Sequence, residues 1–245
     1  MQVRKTVSCR ACPLAKFNHF RAFSDEELAF VSGFKTGELV ADRGTTVLLE
    51  GSDSAHLYTV LDGWGFRFKT LNDGRRQILN YLLPGDLVGL QSSLLGEMQH
   101  SVETLTPMTL CVFEREKMPV LFEKHASLGF DVTWIAAREE RILDEHLLSI
   151  GRRSAIERAA YLLAFLYRRA KMLNQLNGQN AIPLTQQHIA DTLGLSIVHT
   201  NKTLRKLADK KMIAWRDRGC AVLDFDGLSE IAGWTEAPST NRPFI

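Results

Sequence analysis

The stretch Leu184–Ile213, LTQQHIADTLGLSIVHTNKTLRKLADKKMI, decides how the rest of the chain is read. Thr185 has a side chain suited to capping a helix, and Gln186 to Leu193 follow, with Ile189 and Leu193 four apart on one face. Gly194 falls where the chain must turn sharply, and glycine permits the positive φ such a turn requires. Ser196 caps a second helix, expected to run to about Asp209 with Thr200, Thr203, Leu204 and Leu207 facing inward. The small Ala190, four residues before Gly194, sits where the two helices would cross closely. This is the helix-turn-helix pattern, whose second helix lies in the DNA major groove. A helical hairpin built only to pack in a core would share the spacing. It would have no need of an outer face carrying Asn201, Lys202, Arg205, Lys206, Lys210 and Lys211.

Charge distribution points the same way. Between Gly151 and Cys220 there are thirteen Lys or Arg against four Asp or Glu, a net of +9, which leaves −7 for the rest of a chain whose total is +2. A basic segment joined to an acidic remainder is the footprint of a nucleic-acid-binding part coupled to one with another task. No apolar run approaches the ~18 residues of a membrane span. The opening MQVRKTVSCRAC lacks the apolar core of a signal peptide, so a cytoplasmic protein is expected. Reducing cytoplasm favours free, metal-bound or redox-active roles over disulfides for the four cysteines.

Outward from the helix-turn-helix, the chain changes texture twice. From about Gly37 to Phe113, short β-type runs alternate with turns: Thr46 to Glu50, Leu57 to Leu61, Gly65 to Thr70, Gln77 to Leu82, Ser101 to Thr106 and Thr109 to Phe113. Asp73-Gly74 between two such runs marks a hairpin, and the spacing implies a sandwich or barrel of jelly-roll character. Ser24-Asp-Glu-Glu27 reads as a capping box opening a helix through about Phe34. From Lys117 to about Ser149 the pattern is helical, with Leu128, Ile135 and Ile142 every seven residues and Val132 beside them. A helix-turn-helix that reads paired half-sites needs a two-fold partner, so this stripe is assigned to homodimerisation, the alternative being a helix packed on its own barrel. Gly151-Arg-Arg153 makes a hinge, and Ala155 to Leu173 is a strongly apolar helix. Met212 to Trp215 and Ala221 to Phe225 form a hairpin that completes a winged helix. The expected organisation is α+β: residues 1–116 an N-terminal segment and β-roll, 117–150 a dimerisation helix, 151–235 a winged helix-turn-helix, and 236–245 a loose tail.

A β-roll, a long dimer helix and a winged helix-turn-helix, in that order over about residues 9 to 235, resemble the Crp/Fnr family of bacterial transcription regulators. LPGDLVG at Leu83–Gly89 resembles the family's barrel turn. The resemblance implies a cyclic-nucleotide-binding-like sensor domain, a homodimer, double-stranded DNA and RNA polymerase as partners, and no enzymatic activity. Two sites depart from the familiar patterns. Cyclic-nucleotide-binding members carry a glycine-glutamate pair for the ribose and an arginine-serine pair for the phosphate; here these are Gly89-Leu90 and His100-Ser101. A phosphodiester without a counter-charge is costly to bury, so cyclic AMP is not expected. Oxygen-sensing members hold an iron-sulfur cluster on N-terminal cysteines and one distant cysteine. Cys9, Cys12 and Cys111 match, but the remaining cysteine falls on Asn18, beside His19. Cys9, Cys12, Cys111 and His19 are therefore the candidate metal set, for a cluster or for zinc, with a reversible CxxC pair as a third reading and a plain structural role as a fourth.

Familiar members read cytosine and guanine with a glutamate and an arginine four apart; the matching residues here are Val198 and Lys202. Lys202 can donate to guanine O6 and N7, Val198 can touch a thymine methyl, and Asn201 suits adenine. Ile197, Val198, Asn201, Lys202 and Arg205 are assigned to bases, with Ser196 at the helix start. Thr185, Gln187, His199 and Lys206, with Arg216 and Arg218 of the wing, are assigned to phosphates. Two other classes stay open: a small-molecule- or metal-binding β-barrel enzyme with an accessory domain, and an interaction protein whose helix-turn-helix binds protein. His56, His100 and His125 are scattered without ligand spacing, and no nucleophile-base arrangement is visible, both of which speak against an enzyme.

Overall fold

The computed structural model describes residues 2–4, 7–176, 180–216, 219–235 and 241–245, with side chains from residue 7 onward. They form two compact units, one of Met1–Lys69, Tyr81–Arg141 and Ser239–Ile245, the other of Thr70–Asn80 and Ile142–Pro238.

The first begins with strand β1 (Gln2–Arg4), two 3-10 turns (Cys9–Ala11 and Pro13–Lys16) and helix α1 (Asp25–Phe34). Then come β2 (Lys35–Ala41), β3 (Thr46–Leu48), β4 (His56–Asp62), β5 (Gly65–Thr70), β6 (Arg76–Leu82, of which Arg76–Asn80 count with the second unit), β7 (Leu87–Val88), α2 (Leu90–Leu95), β8 (Ser101–Thr104) and β9 (Met108–Glu114). The strands make one sheet in the order β1-β2-β9-β4-β7 and another in the order β3-β8-β5-β6. Leu39, Val60 and Leu110 of the first meet Leu48, Leu82 and Val102 of the second in one apolar core. This is the expected β-roll. The capping box of α1 is present: Ser24 Oγ accepts from the Glu27 amide at 3.2 Å, and the Glu27 carboxylate accepts from the Ser24 amide at 2.7 Å. β2 carries no clear alternation because both of its faces are covered: Gly37, Leu39 and Ala41 are buried on one side and Glu38 on the other.

Helix α3 (Met118–Lys124) leads into the 27-residue α4 (Ala126–Arg152). Here one expectation is corrected. Leu128, Val132, Ile135 and Ile142, assigned to a dimer seam, are all buried within the protomer. Within the first unit, the part of α4 up to Arg141 is tied down on this side: Ser127 donates to Glu27 at 2.7 Å, Arg21 pairs with Asp131, and Arg67 pairs with Glu139. The opposite face is open, with Phe130 69% and Leu147 71% exposed and Ala137 between them on the same side. A heptad stripe specifies a buried face but does not say which surface buries it.

The second unit holds α5 (Ala155–Met172), β10 (Ala181–Ile182), α6 (Gln186–Leu193), α7 (Ile197–Asp209), β11 (Ile213–Arg216), β12 (Gly219–Val222) and α8 (Phe225–Ala232). The expected hinge at Gly151 is displaced: α4 continues through Gly151 to Arg152, and α5 starts where the Glu157 carboxylate accepts from the Ser154 amide at 2.7 Å. A second correction concerns the C-terminal residues. Residues 236–240 lie outside the described ones, but Arg242, Phe244 and Ile245, read as part of a loose tail, are buried in the first unit at 7%, 4% and 5% exposure.

Candidate nucleic-acid interface

The helix-turn-helix is assembled by local chemistry. Thr185 Oγ1 accepts from the His188 amide at 3.2 Å, and His188 Nδ1 accepts from the Thr185 amide at 3.2 Å, so both ends of this cap are satisfied. Gly194 closes α6 in the left-handed region at φ 63°, its amide donating to the Ala190 carbonyl. Ser196 then caps α7, its hydroxyl accepting from the His199 amide at 3.2 Å. Thr200, Thr203, Leu204 and Leu207 of α7 are buried, as are Ile189, Ala190 and Leu193 of α6. An alanine at Gly194 would have to hold left-handed backbone, which disfavours it by about 1–2 kcal/mol. Gly194→Ala is therefore expected to lower the unfolding free energy by about that amount in a denaturant titration; an unchanged midpoint would contradict the strain.

The outward side of the motif is wholly accessible. Thr185, Gln187, Ser196, Ile197, Val198, His199, Asn201, Lys202, Arg205 and Lys206 are all exposed, and Arg216 is exposed at the end of β11. Ile197, Val198, Asn201, Lys202 and Arg205 follow one another at helical spacing along a single face of α7. Gln187 is already engaged, its amide donating to the Asp191 carboxylate at 2.6 Å. Arg218 lies outside the described residues. Beside the helices, β10, β12 and β11 form a three-stranded sheet with Arg216 opposite Gly219 at the hairpin end. Such a surface can donate to phosphate oxygens along its edge and to base edges at its centre.

The cysteines are brought together only in part. Cys9, Cys12 and Cys111 line one small apolar pocket of the first unit, with Thr59, Phe244 and Ile245 among its walls. Burial pushes the Cys111 thiol up to about 12, and burial likewise raises Cys12, so both are thiols rather than thiolates at neutral pH. His19 does not line the pocket; its ring packs against Phe17 at 5.5 Å and Phe20 at 4.8 Å. Asn18 is exposed. Among the described residues, no group of three or more His, Cys, Asp or Glu is gathered so that it could hold a metal ion. The set Cys9, Cys12, Cys111 and His19 therefore does not fit a four-ligand cluster or a zinc site as arranged. Cys220 is buried in β12, and burial raises it to about 12.

At the two positions that would face a cyclic nucleotide, Leu90 opens α2 and His100 is buried. Burial, reinforced by Arg67 and Lys69, holds the His100 imidazole neutral, its pKa pushed down to about 3. Ser101 Oγ accepts from the Glu50 amide at 3.0 Å. Neither the carboxylate nor the guanidinium needed at those positions is supplied by these residues.

Comparison with known proteins adds the following. Residues 38–125 match the cyclic nucleotide-binding domain model, and residues 157–231 match the Crp-like helix-turn-helix domain model. The nitrogen fixation regulation protein FixK of Bradyrhizobium diazoefficiens is 31% identical over 222 residues, covering 91% of this chain and 88% of its own length. The transcriptional activator protein FnrL of Cereibacter sphaeroides is 30% identical, covering 92% of each chain. Among solved structures, FixK2 from Bradyrhizobium japonicum superposes with a TM-score of 0.72 at 25% identity, over 83% of this chain and 99% of that one.

Proposed function

This chain belongs to the Crp/Fnr family of DNA-binding transcription regulators, on the Fnr and FixK side of it, and from that premise we propose that it binds two-fold symmetric DNA as a homodimer. The observation that carries this reading is the capped second helix whose exposed face presents Val198, Asn201, Lys202 and Arg205 together. In this reading those four and Ile197 meet base edges, with Ser196 at the helix start. Thr185, Gln187, His199, Lys206, Arg216 and Arg218 hold phosphates. The division of labour is residues 1–116 for sensing, 117–150 for dimerisation and 151–235 for DNA. The dimer seam is the open face of α4 carrying Phe130, Ala137 and Leu147, since the opposite face is buried within the protomer. RNA polymerase is the partner of the DNA-bound form, the protein works in the cytoplasm, and its role is binding rather than catalysis. No helix among the described residues is long and apolar enough to cross a membrane.

The test is to select a preferred duplex from a random pool and titrate it against protein at several salt concentrations. Neutralised phosphates release counterions, so log affinity is expected to fall linearly with log salt, by about 0.9 for each phosphate contacted. The selected site should show inverted half-sites about one helical turn apart. Salt-independent binding, or binding without any preferred duplex, would overturn the reading.

A second reading, control by thiol chemistry, is supported by the convergence of Cys9, Cys12 and Cys111 on one pocket. On this reading, oxidised and reduced protein differ in affinity for the selected duplex. Cyclic AMP is expected to change neither, because Leu90 and His100 supply no charge to hold it. A cyclic-AMP-dependent shift in the titration would contradict that donor set.

A further inference from the structure

Residues 242–245 are seated in the first unit by backbone pairing, an ion pair and ring contacts together. Backbone pairing fixes their register: the Arg242 amide donates to the His19 carbonyl and the Arg21 amide donates to the Arg242 carbonyl, both at 2.8 Å, making a parallel bridge with Phe20. The Arg242 guanidinium pairs with the Asp86 carboxylate, donates to the Gly85 carbonyl at 2.8 Å, and lies over the Phe20 ring at 5.3 Å. Asp86 also faces Arg138 at 3.5 Å, and it accepts from the Leu83 amide at 2.8 Å, so the anion that receives Arg242 is itself held in place. Gly85 sits at φ +84°, and a Cβ there would come within 2.4 Å of the Phe20 ring, so the turn is shaped to this neighbour. Beyond Arg242, Phe244 packs edge-on to Phe20 at 5.1 Å and tilted against Phe23 at 4.9 Å. The Thr59 hydroxyl donates to the Ile245 carbonyl. Phe244 and Ile245 are themselves part of the wall around Cys9, Cys12 and Cys111.

We propose that Asn241–Ile245, NRPFI, is a latch peptide held in a dedicated groove of the first unit, and that seating it controls access to the three-cysteine pocket. The groove has an acidic end at Asp86 for the arginine and a phenylalanine clamp, Phe20 and Phe23, for Phe244. Its ligand class is therefore a short peptide with an arginine two residues before a large aromatic. Proline between them has no amide to satisfy and loses little freedom on docking. The groove and the pocket lie on residues of the first unit alone, so the latch does not depend on how the protein reads DNA.

The experiment is residue-resolved alkylation of the full-length protein with iodoacetamide, read by mass spectrometry. It compares the unaltered chain with Arg242→Gln, with Phe244→Ala, and with a chain ending at Pro238. Cys220, buried in the other unit, reports global opening. Labelling of Cys12 and Cys111 is expected to accelerate tenfold or more in all three variants while Cys220 is unchanged. Synthetic NRPFI added to the shortened chain is expected to slow both rates again. Rates at Cys12 and Cys111 within twofold of the unaltered chain would overturn the latch. So would parallel acceleration of Cys220 without rescue by the peptide, which would make these residues an ordinary part of the fold.

Discussion

Phe130→Asp combined with Leu147→Asp is expected to leave the protomer folded but monomeric, and to cost DNA binding on the order of 100- to 10,000-fold at a full two-fold site. Both side chains lie on the open face of α4, 69% and 71% exposed, so within one protomer the substitutions break no packing. Across a two-fold seam they place paired carboxylates where apolar side chains would meet, and buried like charges are strongly disfavoured. Once the protomers part, the second half-site no longer benefits from the effective concentration that linkage supplies, which is worth 10²–10⁴. Light scattering gives the mass, and a binding titration against full and half sites gives the coupling. A double variant that stays dimeric would move the seam off this face. Leu128→Ala is the contrast. Leu128 is fully buried, so its truncation is expected to cost about 2–5 kcal/mol of stability through lost transfer energy and an unfilled cavity. The two variants separate the open face of α4 from the face buried within the protomer.

Lys202→Ala and Arg205→Ala are each expected to weaken binding to the preferred duplex by about 1–3 kcal/mol, close to tenfold or more, while random duplex loses less. Neither residue contributes to the inward face of α7, where Thr200, Thr203, Leu204 and Leu207 are buried, so the fold of the motif should survive. The discriminating number is the ratio of specific to non-specific affinity. A base-reading cation lowers that ratio and relaxes preference at one position of the half-site. A phosphate-binding cation lowers both affinities together and reduces the salt slope by about one. Lys206, assigned to phosphate, is the internal comparison. If Lys202→Ala lowers both affinities equally, Lys202 belongs with the phosphate set and the base contacts fall to Val198, Asn201 and Arg205.

The parts of this protein legible from its residues alone are those governed by neighbours within one or two helical turns. Ser24 with Glu27, Thr185 ahead of α6, and Ser196 ahead of α7 each satisfy amides three residues away, so the caps follow from spacing. Gly194 at positive φ, the inward row of α7 and its basic outer row follow from the same short-range rules. The succession of turn-bounded strands was enough for a β-roll, although β2, covered on both faces, shows no alternation to read. Three things were decided by tertiary structure. Periodicity picks out the apolar stripe of α4 without saying what covers it, and Arg21, Glu27 and Arg67 bind that face within the protomer. Cys9 and Cys12 meet Cys111 of β9 at one pocket across about a hundred positions of chain. Residues 242–245 find partners at Phe20, Thr59 and Asp86, from 156 to more than 200 positions away along the chain. Contacts of that span leave no local pattern, because burial is shared between segments whose meeting depends on the whole fold.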